Sequence, residues 1–399
     1  MAQEGNKPKP STSAEPENLS PQARQAVLDL HATIIQKTAL TEFEFFWRDH
    51  AAWLETHGYK LRPRYQPGWE PDIPAFRVVS LTNENLVPMA RAAIVDAICI
   101  KDGKRVLLKK ISKSKHPYEV EVTKFFGTAP LADDPRNHCV QLRDTLYPPE
   151  HPDLTILVFP FLQQIEALPF DTFGEIVDFI RQIFSGLQFI HQNHVAHRDI
   201  GAPNLMMDGD ELFPDGWNQR HADLTPDGKE QTNFFTRTQR PPKYYFIDFG
   251  LSRRYDPSDP NPQEEPIFGG DRTVPEFQTD KESFNPFHTD IYYAGNTIRR
   301  FIIEGTDIEW TGYYGTDFLR PLIKDMVQDD PAKRPTIDEV VSRFENICKK
   351  LGPWKLRSRP IPRRGSIFKG LRNHIDHWKR RIYFIKRRVP PIPSRQSPT

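Results

Sequence analysis

Cysteine is scarce in this chain of 399 residues: Cys99, Cys139 and Cys348 lie far apart, and their spacing fits no metal site. That excludes a disulfide scaffold, and the thiols read as the reduced, ordinary cysteines of an intracellular protein. Long apolar runs are missing too. No stretch is long enough to span a bilayer, and the N-terminus lacks the basic-then-apolar pattern of a secretory signal. The sequence therefore predicts a cytoplasmic or nuclear location. There is no internal repeat, and the net charge is only +1, although the signs are unevenly spread. What is present is 37% hydrophobic and 27% charged residues, a composition that suits a globular protein with polar additions. Proline is abundant, with 38 residues concentrated in loops and tails.

Residues 1–19 are rich in Ser, Pro, Glu and Lys and have little to bury, so they are expected to be disordered. Ser20-Pro21 has the pattern of a helix start, with Val27, Leu28, Leu30, Ile34 and Ile35 as a buried stripe. Thr41 and Glu44 form a capping-box pattern for a second helix, with Phe43, Phe46, Trp47 and Leu54 on its apolar face and Gly58 at its end. From about Leu86 the pattern turns strand-like. Asp102-Gly103 is a hairpin signal between Ala93–Ile100 and Arg105–Ile111. Leu157 to Leu162 reads as a buried strand running into a linker. Asp171 can cap the next helix, whose apolar positions from Phe173 to Ile190 recur at helical spacing. The polar stretch Phe213 to Pro242 reads as an inserted surface loop.

The helix that ends near Ile190 delivers the chain into His197-Arg198-Asp199-Ile200-Gly201-Ala202-Pro203-Asn204. A carboxylate and, five positions on, a side-chain amide suit proton transfer from a hydroxyl beside a hard cation. Tyr244 to Ile247, a strand-like run, leads into Asp248-Phe249-Gly250. Val106-Leu107-Leu108-Lys109 sits in the earlier strand, with Lys110 as the register alternative. Val274-Pro275-Glu276, Asp290 to Gly295, and Asp330-Pro331-Ala332-Lys333-Arg334-Pro335 follow in order.

Together these elements resemble the eukaryotic protein-kinase superfamily over roughly Leu86 to Leu351. The long loop before Asp248 and the aromatic stretch from Phe45 to Tyr65 are similar to a fungal group of kinase-like proteins. The resemblance implies an α+β, bilobal protein-kinase-like fold. It would have a small antiparallel β-sheet N-lobe (86–160) and a mainly helical C-lobe (161–352). A helical extension (20–85) would precede it and a basic, Pro-rich tail (353–399) would follow. It implies ATP and Mg²⁺ as cofactors and a protein hydroxyl as acceptor, Ser or Thr rather than Tyr. Asp199 would then orient or deprotonate the hydroxyl. Asn204 and Asp248 would hold Mg²⁺. Lys109 would reach the α- and β-phosphates, set by a glutamate on the next helix. Glu119 and Glu121 both qualify. Glu121 is preferred because the position one turn on is then Phe125 rather than Thr123. Phe159 would be the gatekeeper, with Pro160 and Leu162 offering backbone groups to adenine. Asp290, Glu276 and Arg334 would be structural supports.

Two features depart from that family. Where a glycine-rich phosphate loop belongs, the chain reads Val87-Pro88-Met89-Ala90-Arg91-Ala92-Ala93, which cannot close backbone N–H groups on phosphates as glycines do. Gly201 also replaces a lysine that Ser/Thr kinases usually carry. A pseudokinase that binds nucleotide or acts as a scaffold is therefore the alternative; a small-molecule phosphotransferase is disfavoured by Glu276 and Arg334. Arg198 is expected to find negative charge on the segment after Asp248, and Glu264-Glu265 could supply it without phosphorylation. The tail beyond Pro353 carries a block of Lys and Arg against a single acid, Asp376. It suits an anionic partner (a membrane surface, nucleic acid or an import receptor) or a docked extension.

Overall fold

The computed structural model describes residues 20–71, 73, 82–89, 91–267, 270–279, 282–307, 310–364 and 367–395, with backbone only for 367–375. The expected disorder of 1–19 and Ala90 of the Val87–Ala93 stretch lie outside these residues. The fold is mixed α+β. The chain divides into two compact units: Met1–Lys104 with Trp217–Gln231, and Arg105–Gly216 with Thr232–Thr399.

In the first unit, α1 (Pro21–Thr38) starts as its sequence predicts, with the Ser20 hydroxyl accepting from the Ala23 N–H. Its apolar stripe is not buried, however. Leu28, Leu30 and Ile35 are exposed, and Thr38 is the helix's buried residue. The helix is held at its C-terminal end instead, where Arg64 donates to the carbonyls of Thr38 and Ala39. The single helix expected after Thr41 is broken at His50 into α2 (Glu42–Asp49) and α3 (Ala51–Thr56). Trp47 and Leu54 are buried while Phe43 points to solvent. The fully buried Arg64 forks onto Glu44 at 2.7 and 2.8 Å. β1 (Tyr59–Leu61) pairs antiparallel with β2 (Ile94–Cys99).

The second unit holds every residue proposed above for chemistry. β3 (Arg105–Ser112) buries Val106, Leu108 and Ile111 and is followed by α4 (Glu119–Phe126). Antiparallel pairing joins β3 to β5 (Leu154–Pro160), and β5 to β4 (Asp144–Leu146). A smaller sheet orders β6 (Gln163–Gln164), β8 (Leu205–Met207) and β9 (Tyr244–Phe246). After β6 in the chain comes α5 (Phe173–Gln192), apolar on the expected face. Thr172, not Asp171, caps it, its hydroxyl accepting from the Glu175 N–H at 3.1 Å. β7 (Val195–Ala196) leads into the His197 loop and pairs with β10 (Arg253–Arg254), just past Asp248. The helices α6 (Pro286–Ile298), α7 (Arg320–Met326) and α8 (Ile337–Lys349) complete the helical part. Gly295 lets α6 approach α7: a Cβ there would stand 2.7 Å from that of Met326. β11 (Tyr313–Tyr314), α9 (Pro353–Leu356), β12 (Ile361–Pro362) and α10 (Ile367–Lys386) bring the tail back onto this unit.

The stretch Phe213 to Pro242 is not simply a surface loop. Phe213, Arg237 and Thr238 are buried, and Trp217–Gln231 belongs to the first unit. Arg237 donates to the Ile165 carbonyl at 2.6 Å and lies 4.2 Å over the Phe170 ring. Its polar composition hid this, because a buried arginine looks like a solvated one in sequence. No helix among the described residues is long and apolar enough to cross a membrane.

Candidate active site

Lys109 stands on β3 with its stem on the strand and its ammonium between two carboxylates. Its Nζ is 2.5 Å from Glu119 and 2.8 Å from Asp248. Burial pulls the lysine pKa down, but the charges of Glu119 and Asp248 outweigh it, so the amine is held above its ordinary value. Burial raises Glu119, against the pull of Lys109. Burial also works to raise Asp248, but Lys109 prevails and that carboxyl is held low. A cation fixed between two acids is thus kept charged and in place.

The glutamate is Glu119, which corrects the preference for Glu121. Glu121 is exposed and makes no ion pair among the described residues. The physical reason is the register of α4. Its buried face is Glu119, Val122, Thr123 and Phe126, a helical spacing in which the threonine counts as apolar. Phe126 packs against Phe189 of α5 and Phe249. Phe125 instead turns outward, under the guanidinium of Arg254 at 4.1 Å. The weight of Phe126 on the same face as Glu119 was the signal to read.

Asp199 and Asn204 are joined directly. The Asn204 amide nitrogen donates at 2.8 Å both to the Asp199 carboxylate and to its backbone carbonyl. That leaves the amide oxygen of Asn204 turned away from Asp199. The Asn204 carbonyl accepts from the Ile247 N–H at 3.0 Å, and β8 pairs with β9, so Asn204 lies beside the residue preceding Asp248. Asp248 itself adopts φ +66°, the left-handed region, while accepting from the Gly250 N–H. A non-glycine residue there is disfavoured, by about 1–3 kcal/mol, and is held by its surroundings. The local sequence strand–Asp-Phe-Gly therefore ends in a sharp turn that aims one carboxylate at Lys109.

The loop is fastened from beneath. Asp290, fully buried in α6, accepts from the backbone N–H groups of His197 and Arg198 at 2.7 and 2.8 Å, and from His191 Nε2 at 3.0 Å. Arg198, also at positive φ, meets Glu264 at 3.1 Å and the carbonyls of Leu251 and Glu265. Glu264 is thus the acid that Arg198 finds, whereas Glu265 contributes only its backbone here. Gly270, at φ +56°, passes so close to Asp199 that a Cβ would sit 2.4 Å from its carboxylate. Glu276 and Arg334 form a two-pronged, buried pair at 2.8 and 2.5 Å, with Thr289 donating to the same carboxylate. Pro160 and Leu162 lie at and just past the end of β5, half-buried, with Pro160 opposite Val106.

Among the described residues there is no group of three or more His, Cys, Asp or Glu side chains that could hold a metal ion. The oxygens nearest such a role are those of Asp248 and Asn204, a mixed carboxylate and amide set suited to a hard cation that keeps most of its water. No protein-family model and no curated protein matches the chain.

Proposed function

We propose that this chain is a phosphotransferase of the protein-kinase type, with the bilobal fold of that superfamily, moving the γ-phosphoryl group of ATP to a hydroxyl of a protein. The observation that carries this reading is the pairing of Lys109 with both Glu119 and Asp248 in the unit where Asn204 clamps Asp199. Lys109 neutralises the α- and β-phosphates, and Glu119 holds it in reach of them. Asp199, fixed by Asn204, aligns the acceptor hydroxyl and accepts its proton as the new P–O bond forms and ADP leaves. Asp248 and the Asn204 amide oxygen would hold Mg²⁺, which supplies charge neutralisation on the phosphates. Pro160 and Leu162 would meet adenine through the backbone. The Arg198–Glu264 contact supports a loop already set without phosphorylation of the following segment.

A second reading, a nucleotide-binding pseudokinase or scaffold, is favoured by the alanines and Arg91 where phosphate-binding glycines belong. Labelled-phosphate transfer from Mg-ATP to generic protein substrates separates the two. The expected result is transfer by the full chain, reduced about 10²–10⁴-fold in Asp199→Asn with an unchanged melting temperature, and little change in Glu264→Asp. A melting temperature raised by Mg-ATP with no transfer would select the pseudokinase. No thermal response and no transfer would remove both.

A further inference from the structure

The C-terminal part of the second unit carries a site that plays no part in the reading above. α10 lies against the start of α5, where Arg380 donates to the Asp171 carboxylate at 2.7 and 3.0 Å and His377 Nδ1 approaches it at 3.3 Å. Beside this contact is a hollow, partly open to solvent, lined by Thr172, Arg357, His377 and Arg381 together with Phe384, Pro390 and Pro391. Two of its basic side chains are deeply buried: His377 is 2% exposed and Arg381 7%. His377 Nε2 and Arg381 Nε are buried with no hydrogen-bond partner among the described residues. Burying a polar nitrogen without a partner is costly, so such atoms point to a missing hydrogen-bond partner.

The charges point the same way. The Arg381 guanidinium lies over the rings of Trp354 and Trp378, at 4.5 and 4.8 Å, and gives Nη2 to the Trp354 carbonyl. Arg357 gives Nη2 to the Val389 carbonyl. Neither guanidinium meets a carboxylate among the described residues. Burial lowers both of their pKa values, and the charge of Arg381 lowers that of Arg357 further, as expected for like charges facing one another. The lining's one carboxylate, Asp171, is already engaged by Arg380 and His377. The hollow thus meets two guanidiniums that no carboxylate balances among the described residues, which disfavours a metal cation.

We infer that the cavity between α10 and the start of α5 is a binding site for a phosphate-type oxyanion, held by His377 Nε2, Arg381 Nε and the Arg357 guanidinium. His377 faces Asp171 through Nδ1 and the anion through Nε2, while the guanidiniums supply charge-assisted bonds of the kind that favour phosphate. The oxyanion has two sources with one chemistry: a free ion, or the phosphomonoester headgroup of a lipid. The outer face of α10 exposes Trp378, Ile382 and Tyr383 beside Lys379 and Lys386, a mixture that suits contact with a headgroup layer.

The test is calorimetric titration of inorganic phosphate into the full chain at fixed ionic strength. It is repeated with His377→Asn, whose amide keeps a donor for Asp171 but removes Nε2, and with Arg357→Gln. Saturable binding to one site, weakened at least about tenfold in both variants while their urea midpoints stay near wild type, is the expected result. Vesicles of phosphatidylcholine with and without phosphatidic acid then separate the sources. Phosphatidic-acid-dependent binding that inorganic phosphate releases assigns a headgroup. Phosphate binding without vesicle binding assigns the free ion. An absence of saturable binding to phosphate and to vesicles, or affinities in both variants equal to wild type, overturns the inference.

Discussion

Two charged clusters in the second unit are built from the same chemistry and finished differently. Glu276–Arg334 is dry and complete: the side chains are 2% and 0% exposed, and Thr289 and the carbonyls of Gln328 and His288 take up further hydrogen bonds. Lys109–Glu119–Asp248 is open on one side, with Asp248 29% exposed, and it holds two acids for one base. The Glu119 Oε2 atom is buried there without a hydrogen-bond partner among the described residues. The complete cluster has nothing left to give a ligand, and its geometry serves the fold. The unfinished one keeps two acids for one base and an unpartnered Glu119 Oε2, so it retains charge that a ligand could still meet. Removing a partner should therefore hurt stability at the first and ligand response at the second.

The largest effect is expected at the dry pair. Glu276→Gln leaves the Arg334 guanidinium buried without a counter-charge, at a cost of about 3–5 kcal/mol. Urea unfolding of the variant should show it directly. A loss below about 1 kcal/mol would mean that water reaches Arg334, and the contrast between the clusters would collapse.

How much of this was legible in the sequence depended on distance along the chain. The loop His197–Asn204, the strand before Asp248 and the Ser20 cap are local patterns, where neighbours in sequence set the geometry. Glu119 was missed because a helix as short as α4 has its register fixed by Phe126 meeting Phe189 and Phe249, partners remote in sequence. The exposed stripe of α1 failed for a related reason. An amphipathic pattern states that a face could be buried, while only the remaining chain decides whether anything covers it. Arg237 was hidden because a basic residue's burial depends on a distant carbonyl or ring, whereas a docked tail was one of the readings the sequence left open and α10 is the part that docks, through Asp171.

An intermediate effect belongs to the contact that docks α10. Burial pushes the Asp171 carboxyl up, but hydrogen bonds from His377 and Arg380 and their charges outweigh it and bring the pKa down to about 2. The unfolded value is near 3.8, so the folded state favours the ionised form. Its stabilisation is complete above the unfolded pKa and is lost as pH falls from about 4 through about 2, with a full size of about 2 kcal/mol. The stability difference between wild type and Asp171→Asn, from urea unfolding, should be flat above pH 5 and shrink below pH 4. A difference independent of pH would show that charge is not what fastens the helix.

The smallest effects sharpen the comparison most, because they ask whether the open cluster is spared. Burial already raises Glu119, so its ionised form gains little net stability from Lys109. In Glu119→Gln the lysine keeps Asp248 as its partner at 2.8 Å. The change in unfolding free energy is expected to stay within about 1 kcal/mol, well below that of Glu276→Gln. The rise in melting temperature on adding Mg-ATP should nevertheless shrink, since Lys109 would no longer be held by two charges. Glu121→Gln provides the control: its carboxylate is exposed, so stability should move by no more than about 0.5 kcal/mol and the nucleotide response not at all. If the two variants exchanged behaviour, with Glu121→Gln blunting the nucleotide response and Glu119→Gln silent, the register of α4 and the site built on it would both be wrong.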